Sequence, residues 1–268
     1  MFFADYHSHT YFSSDSNASM EDMIQTGINL GLKQLAFTDH VDFDYPNSDY
    51  TFEIDYNEYL KQFKQYKLKY KNKIDLIFGV EIGLQPHLQE KISDFITHYP
   101  FDFIIGSSHV VHKLDLYNGD FFQGKEQKNA YLQYFEEVLK NIHIFNDFQV
   151  YGHLDYIIRY GNYKNPVLSY EDYQNIIDEI LKNLIHKGQG IELNTSGYRY
   201  GLNQFHPQTS ILKSYKQLGG EIITVGSDAH YPQDLCANFK EAYEILKEIG
   251  FSYITIFKNQ KPDFIPIP

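Results

Sequence analysis

Two histidines spaced two residues apart, His7 and His9, follow a short apolar run, Phe2-Phe3-Ala4, that reads as a strand. In extended backbone, residues i and i+2 project to the same side, so the two imidazoles can grip one cation. An H-x-H pair alone is a weak signal, because short motifs recur by chance. The rest of the chain supplies the context. A second i, i+2 pair, Asp228 and His230, lies in Gly226-Ser227-Asp228-Ala229-His230. His40 ends Thr38-Asp39-His40, Glu81 lies within Gly79-Val80-Glu81-Ile82-Gly83, His109 ends Ser107-Ser108-His109, and His153 follows Gly152. Asp15 lies in the loop behind His9.

Each of these residues has an ordinary structural reading, since a single histidine in a strand-end loop is usually a satisfied core or surface residue. Their common location is what argues for a metal centre. Together His7, His9, Asp15, His40, Glu81, His109, His153, Asp228 and His230 overfill one ion of four to six ligands. They suit two or three ions sharing a bridging carboxylate. Imidazole and carboxylate without thiolate favour Zn, Mn or Fe over Ca or Mg. The absence of cysteine ligands argues against a closed structural zinc site and for open positions that take water and substrate. Clustered divalent ions provide hydroxide near neutral pH and clamp the oxygens of an in-line displacement at phosphorus.

The elements that must position these donors follow from the apolar pattern. Short apolar runs at Phe2–His7, Gln34–Thr38, Asp75–Val80, Phe103–Gly106, Gln149–Gly152, Gly190–Leu193 and Glu221–Val225 read as strands. Tyr253–Phe257 is an eighth or an edge strand. Amphipathic segments at about 19–31, 55–71, 87–98, 126–145, 169–187, 207–218 and 235–249 read as helices. Ser169 is an N-cap, with Asp172 in place of the capping-box glutamate, and Gly188 and Gly219 stand where helices end in a left-handed residue. Alternating strands and helices imply a parallel sheet with right-handed crossovers, and seven or eight such units favour a closed barrel. With no linker, repeat or composition break, residues 1–268 form one domain. Long loops at about 41–54, 110–124 and 194–206 follow the second, fourth and sixth strands, on the face where barrel enzymes hold their active sites.

Composition narrows the class. The chain has 268 residues, 43% of them hydrophobic, enough for a full core. A formal charge of −12 and a pI near 5.4 argue against nucleic-acid and anionic-membrane partners and suit a protein that collects divalent cations. A single cysteine, Cys236, allows no internal disulfide, which fits a reducing, cytoplasmic setting. It is expected to pack at a helix start. No signal peptide or transmembrane run is evident.

The ordered pattern His7-x-His9, Thr38-Asp39-His40, Glu81, Ser108-His109, Gly152-His153 and Asp228-x-His230 resembles the PHP (polymerase and histidinol phosphatase) family over nearly the whole chain. The resemblance implies an α/β fold, a distorted (β/α)7 TIM-like barrel, with a trinuclear metal centre. It implies one ion on His7, His9, Glu81 and Asp228, a second on Glu81, His109 and His153, and a third on Asp15, His40 and His230. Asp15 is a departure, standing where some members carry histidine. The segment Glu192-Leu193-Asn194-Thr195-Ser196-Gly197-Tyr198-Arg199, followed by His206-Pro207, is similar to the histidinol-phosphate phosphatase branch. The implied reaction is attack of metal-bound hydroxide on L-histidinol phosphate, a step of histidine biosynthesis, giving histidinol and phosphate. Two other readings compete. One is the same chemistry on another phosphate monoester or on phosphotyrosine; the other is a metal-stabilised binding domain without catalysis.

On the substrate side, Arg159 and Arg199 are the cations expected to clamp the phosphate, since the guanidinium fork matches its geometry. Asp42, Asp44 and Tyr117 are candidates to meet the amine and imidazole, and Asp42 can instead protonate the leaving alkoxide. His87, His98, His112, His143 and His186 are given no role. Steady-state kinetics of R159A and R199A should each show a change in KM or kcat of roughly tenfold or more, by the usual strength of charged hydrogen bonds. Near-normal kinetics in both would remove them from the site.

Overall fold

Strands buried on both faces need continuous apolar runs rather than alternation, and that is what the seven expected runs provide. A computed structural model describes residues 3–46, 51–164 and 167–268. Its barrel strands are Ala4–Asp5, Gln34–Phe37, Asp75–Gly83, Phe103–Ser107, Val150–Tyr151, Gly190–Asn194 and Ile223–Gly226, paired in parallel in that order. Ala4 lies opposite Gln34, Gln34 opposite Asp75, Gly79 opposite Phe103, Ile105 opposite Val150, Val150 opposite Gly190, and Ile191 opposite Ile223. The expected start of the first strand at Phe2 and part of the 41–54 loop lie outside the described residues.

The first and seventh strands meet through a few bonds just beyond their regular ends. Tyr6 N donates to Val225 O at 3.1 Å, His9 N donates to Ala229 O at 2.8 Å, and Ser8 pairs in parallel with Ala229. Asp5 reinforces this junction. Its buried carboxylate accepts from Ser227 N at 3.0 Å, Ser227 Oγ at 2.5 Å and Cys236 N at 3.0 Å. The two i, i+2 donor pairs are therefore neighbours across the closure.

Seven helices cover the barrel close to their expected ranges: Met20–Leu30, Tyr56–Tyr70, Gln89–His98, Gln127–Ile144, Tyr170–His186, Thr209–Gln217 and Phe239–Ile249. Ser169 caps its helix by accepting from Asp172 N. The acid its hydroxyl meets is Glu171 at 3.1 Å. Gly188 and Gly219 take the left-handed conformation at φ 69° and 93°. Cys236 is buried just before the last helix, and burial pushes its thiol up, away from nucleophilic use. Among the described residues, no helix is long and apolar enough to cross a membrane.

The segment expected as an eighth or edge strand is neither. Tyr253–Lys258 pairs antiparallel with Lys261–Pro266 in a separate hairpin. Its turn, Asn259-Gln260, takes positive φ at both positions, the two-residue geometry that joins antiparallel strands, whereas a parallel crossover needs many more residues. Phe257 and Ile256 of this hairpin pack with Ala4, Tyr6, Ile77, Phe103, Ile105 and Val150 in an apolar cluster within the barrel. Tyr6 ties the two together: its hydroxyl lies 3.0 Å from Gln34 Oε1 and Phe257 O, and accepts from Phe257 N at 2.7 Å. Y6F leaves the buried Phe257 N–H without a partner at a cost of about 1–3 kcal/mol. Thermal unfolding should show a melting point several degrees lower; an unchanged one would mean the hairpin is held by packing alone.

Candidate metal centre

The barrel mouth is built around Glu81, near the C-terminal end of the third strand and fully buried. One carboxylate oxygen, Oε2, faces His7 Nε2 at 3.0 Å, His40 Nδ1 at 3.1 Å and His9 Nε2 at 3.5 Å. The other, Oε1, faces His153 Nε2 at 2.8 Å and His109 Nε2 at 3.3 Å, and accepts from Ser107 Oγ at 2.7 Å. Two donor groups thus share one carboxylate, as bridging requires. Asp228 approaches His9 Nε2 and His230 Nδ1 at 3.5 Å each, and His7 Nε2 at 3.8 Å. All nine residues named from the sequence come together here.

Within this cluster, Glu81/His109/His153 matches an implied ligand set, and His7/His9/Glu81 holds three of the four residues implied for the first ion, with Asp228 at 3.5 Å from His9 Nε2. The third differs in composition. His40 and His230 group with His9, whose ring stacks on theirs at 4.3 and 4.2 Å. Asp15 lies at the exposed rim, with Oδ2 at 3.2 Å from His230 Nε2 and 3.6 Å from His40 Nε2. A fourth group, His40/Asp42/His109, was not foreseen. There Asp42 Oδ1 meets His109 Nδ1 at 2.8 Å. Gly83 makes room for this: a Cβ there would lie 1.9 Å from Asp42 Oδ1.

The cluster's electrostatics fit divalent cations. Among the described residues, His9 Nε2, His40 Nδ1, His153 Nδ1 and Asp42 Oδ2 are buried without a hydrogen-bond partner. Such groups are costly to bury unless something ligates them. The proton affinities are pulled in opposite directions within one cluster. Burial and then His230 and His40 hold His9 well below its ordinary value. At His7 the cost of burial is overcome by Glu192, Glu81 and Asp228, which hold it well above. Glu81 and Asp228 are held well below the carboxylate range despite their burial, His7 being the first of the charges that do so. Protons alone balance this donor set poorly, whereas metal ions satisfy neutral imidazoles and ionised carboxylates together.

Sequence reasoning missed the residue behind these donors. Glu192, in the sixth strand and fully buried, meets His7 Nδ1 at 2.6 Å through Oε1. Its Oε2 accepts from His153 N at 3.1 Å and Asn194 Nδ2 at 3.0 Å. It therefore sets His7's tautomer and fixes the backbone of His153. Gly226 leaves it space: a Cβ there would lie 2.3 Å from Glu192 Oε1 and 2.4 Å from His7 Cβ. Asp39 has a similar role, accepting from Thr10 N and Ser13 Oγ, while Ser13 Oγ lies 3.2 Å from His9 Nδ1.

Above the cluster lies a cavity of about 370 Å³ whose wall includes Asp42, Tyr117, Arg159, Tyr160 and Tyr200. Arg159 is almost completely buried; its Nη2 donates to Ser196 Oγ at 2.7 Å. Arg199 is oriented differently. Its guanidinium donates to Ser227 O at 3.2 Å and Asp228 O at 2.5 Å and is not part of the cavity wall, so here it holds the Asp228 turn. Asp44 faces solvent beside His87 and Lys91. His206, quoted only as part of a motif, forms a buried pair with Asp155 at 2.6 Å, fastening the 194–206 loop to the turn that carries Arg159.

The PHP domain family model matches residues 5–196. Histidinol-phosphatase of Lactococcus lactis subsp. lactis is 31% identical over 97% of this chain and 96% of its own length. A probable histidinol-phosphatase of Clostridium acetobutylicum is 34% identical over 95% of this chain and 97% of its own. The crystal structure of the Lactococcus lactis histidinol phosphate phosphatase, complexed with zinc, L-histidinol and phosphate, superposes with a TM-score of 0.92 at 30% identity, covering 97% of this chain and 98% of that one.

E192A is expected to weaken metal retention about 10- to 100-fold, the usual effect of removing a carboxylate behind a ligating histidine. Metal content after dialysis against graded chelator would show it. Parent-like retention would reduce Glu192 to a packing residue.

Proposed function

The chain belongs to the PHP domain family, and on that premise we propose that it is a metal-dependent histidinol-phosphatase, formed as one phosphoesterase domain over residues 1–268. It hydrolyses L-histidinol phosphate to L-histidinol and phosphate, a step of histidine biosynthesis, and depends on divalent metal ions. The observation that carries this reading is the shared Glu81 carboxylate with imidazoles at both oxygens, directly beneath a cavity sized for a small ester and walled by Arg159.

We assign His7, His9, Glu81 and Asp228 to one ion, Glu81, His109 and His153 to a second, and Asp15, His40 and His230 to a third, with Zn, Mn or Fe as the metal. Bound there, such ions supply the Lewis acidity that activates water and neutralises phosphoryl oxygens. The protein's own groups do the rest. Arg159 binds the phosphate through its guanidinium, and Arg199 acts on the same site either by holding the Asp228 turn or by turning its fork inward. Hydrolysis joins the oxygen of water to phosphorus, breaks the P–O bond to the alcohol, and requires a proton on the departing oxygen. Asp42, in the cavity wall with Oδ2 unpartnered, is the group we assign to that proton transfer. Tyr117 in the same wall offers an aromatic face to the imidazole. The single cysteine supports a cytoplasmic location.

The test pairs metal analysis of the purified protein with phosphate release from histidinol phosphate. Two or more tightly held ions are expected, with activity lost on chelation and restored by metal. Fewer than two ions at full activity would overturn the multinuclear assignment. No turnover in metal-replete protein, or a higher kcat/KM on phosphotyrosine peptides, would overturn the substrate.

A further inference from the structure

Arg159 is one of only two arginines in the chain, and the carboxylate it pairs with stands beyond hydrogen-bond distance. Asp228 Oδ2 is 3.7 Å away, and Nε is buried without a partner. A charge in such a place is costly unless something stabilises it. Ser196 Oγ accepts from one end of the guanidinium at 2.7 Å, and two aromatic faces flank it. The guanidinium carbon lies 4.6 Å from the ring centre of Tyr156 and 4.0 Å from that of Tyr200.

The two partners are not equivalent. Tyr156 also packs on the imidazoles of His153 and His109, at 4.5 and 5.4 Å, so it is part of the metal centre's packing. Tyr200 is half exposed, at the end of the short helix Ser196–Arg199, and meets Arg159 from the opposite loop. Its position is set by its backbone. Tyr200 N bonds Ser196 O at 3.0 Å, Gly201 follows at φ 75°, and Asn194 and His206 exchange backbone bonds at 2.7 and 2.9 Å across the loop's base. A Cβ on Gly197 would lie 2.2 Å from Gln204 O, so the loop is packed too closely there to admit a side chain.

We propose that Tyr200 is a positioning residue that holds the Arg159 guanidinium by its ring face, keeping the cation in place while leaving its N–H edge available to the phosphate. A carboxylate in the same position would occupy that edge and offset the charge. An aromatic face stabilises the cation from above and uses none of its donors. The inference rests on the reading of Arg159 as the phosphate clamp.

The experiment compares Y200F, Y200L and R159A, and the Y200L/R159A pair, all metal-loaded and checked for metal content. Y200L should raise KM for histidinol phosphate and weaken inorganic phosphate binding together by roughly fivefold, as loss of one cation–π contact predicts. In the same variant kcat should fall less, and metal content should match the parent. Y200F, which keeps the ring, should behave as the parent, and Y200L should add nothing in the R159A background. Parent-like binding in Y200L, equal losses in Y200F and Y200L, or an undiminished Y200L effect without Arg159 would each overturn the proposal. If the parent does not turn over histidinol phosphate, the substrate reading falls. Calorimetry with inorganic phosphate then still decides the role of Tyr200, and a parent that binds no phosphate overturns it.

Discussion

Everything at the barrel mouth depends on one buried carboxylate facing five imidazoles. Glu81 is fully buried at the floor of the cavity, and its two oxygens look toward donors from the first, second, fourth and fifth strand ends. Such a cluster is unfavourable until its charges are compensated. The protein compensates partly with geometry, by placing hydrogen-bond partners behind several of the donors. Ser107 on Glu81, Glu192 on His7, and Asp39 through Ser13 on His9 are the clearest instances. The strand ends cannot wander, because each is tied to a neighbour by such a bond. Glycine at positions 83 and 226 is the corollary, since a side chain there would collide with Asp42 or with Glu192 and His7.

That rigidity has to be supported from the other end of the barrel. The interior below the mouth is apolar, filled by Ala4, Ile77, Phe103, Ile105 and Val150 and completed by Ile256 and Phe257 of the terminal hairpin. The first strand is only two residues long by its ladder, and the fifth strand's pairings with the fourth and sixth are equally short. A ladder that short fixes little by itself. Tyr6 and Asp5 compensate by joining the first strand to the hairpin and to the seventh strand. The i, i+2 pair at His7 and His9 is therefore placed from both sides, by the closure and by the hairpin.

Much of this was legible in the sequence, and what was not has definable causes. Short apolar runs gave the strands, because parallel strands buried on both faces have no alternation to obscure them. Eight of the nine candidate donors were legible because each stood at or just beyond the end of such a run; Asp15, in the loop behind His9, was not marked in that way. Glu192 was not, since a lone acid inside a strand looks like a polar position until its partner is known to be His7, 185 residues away. Tyr200 and Tyr156 were lost among 24 tyrosines, where no single one carries a signal. The hairpin was misread because Tyr253–Phe257 is as apolar as the barrel strands; only the two positive φ values after it turn it back. Residue type, a place in the loop after the sixth strand and the family resemblance point to Arg199 as a phosphate ligand, whereas its bonds to Ser227 O and Asp228 O depend on how that loop folds.

The chain's net charge sharpens the meaning of these placements. A protein at −12 repels a phosphate monoester at long range, so nothing in its overall field draws that substrate in. Attraction has to be local, and beyond a screening length of about 8–10 Å the surface is invisible to the site in any case. Within that radius the mouth concentrates six imidazoles, the metal ions they would hold, and Arg159. Placing a second carboxylate against that arginine would weaken the one permanent positive charge in the cavity wall. A pair of tyrosine rings stabilises it without that loss. The acidic surface and the aromatic setting of Arg159 are thus consistent with one design, in which positive charge is confined to the place where phosphate must stop.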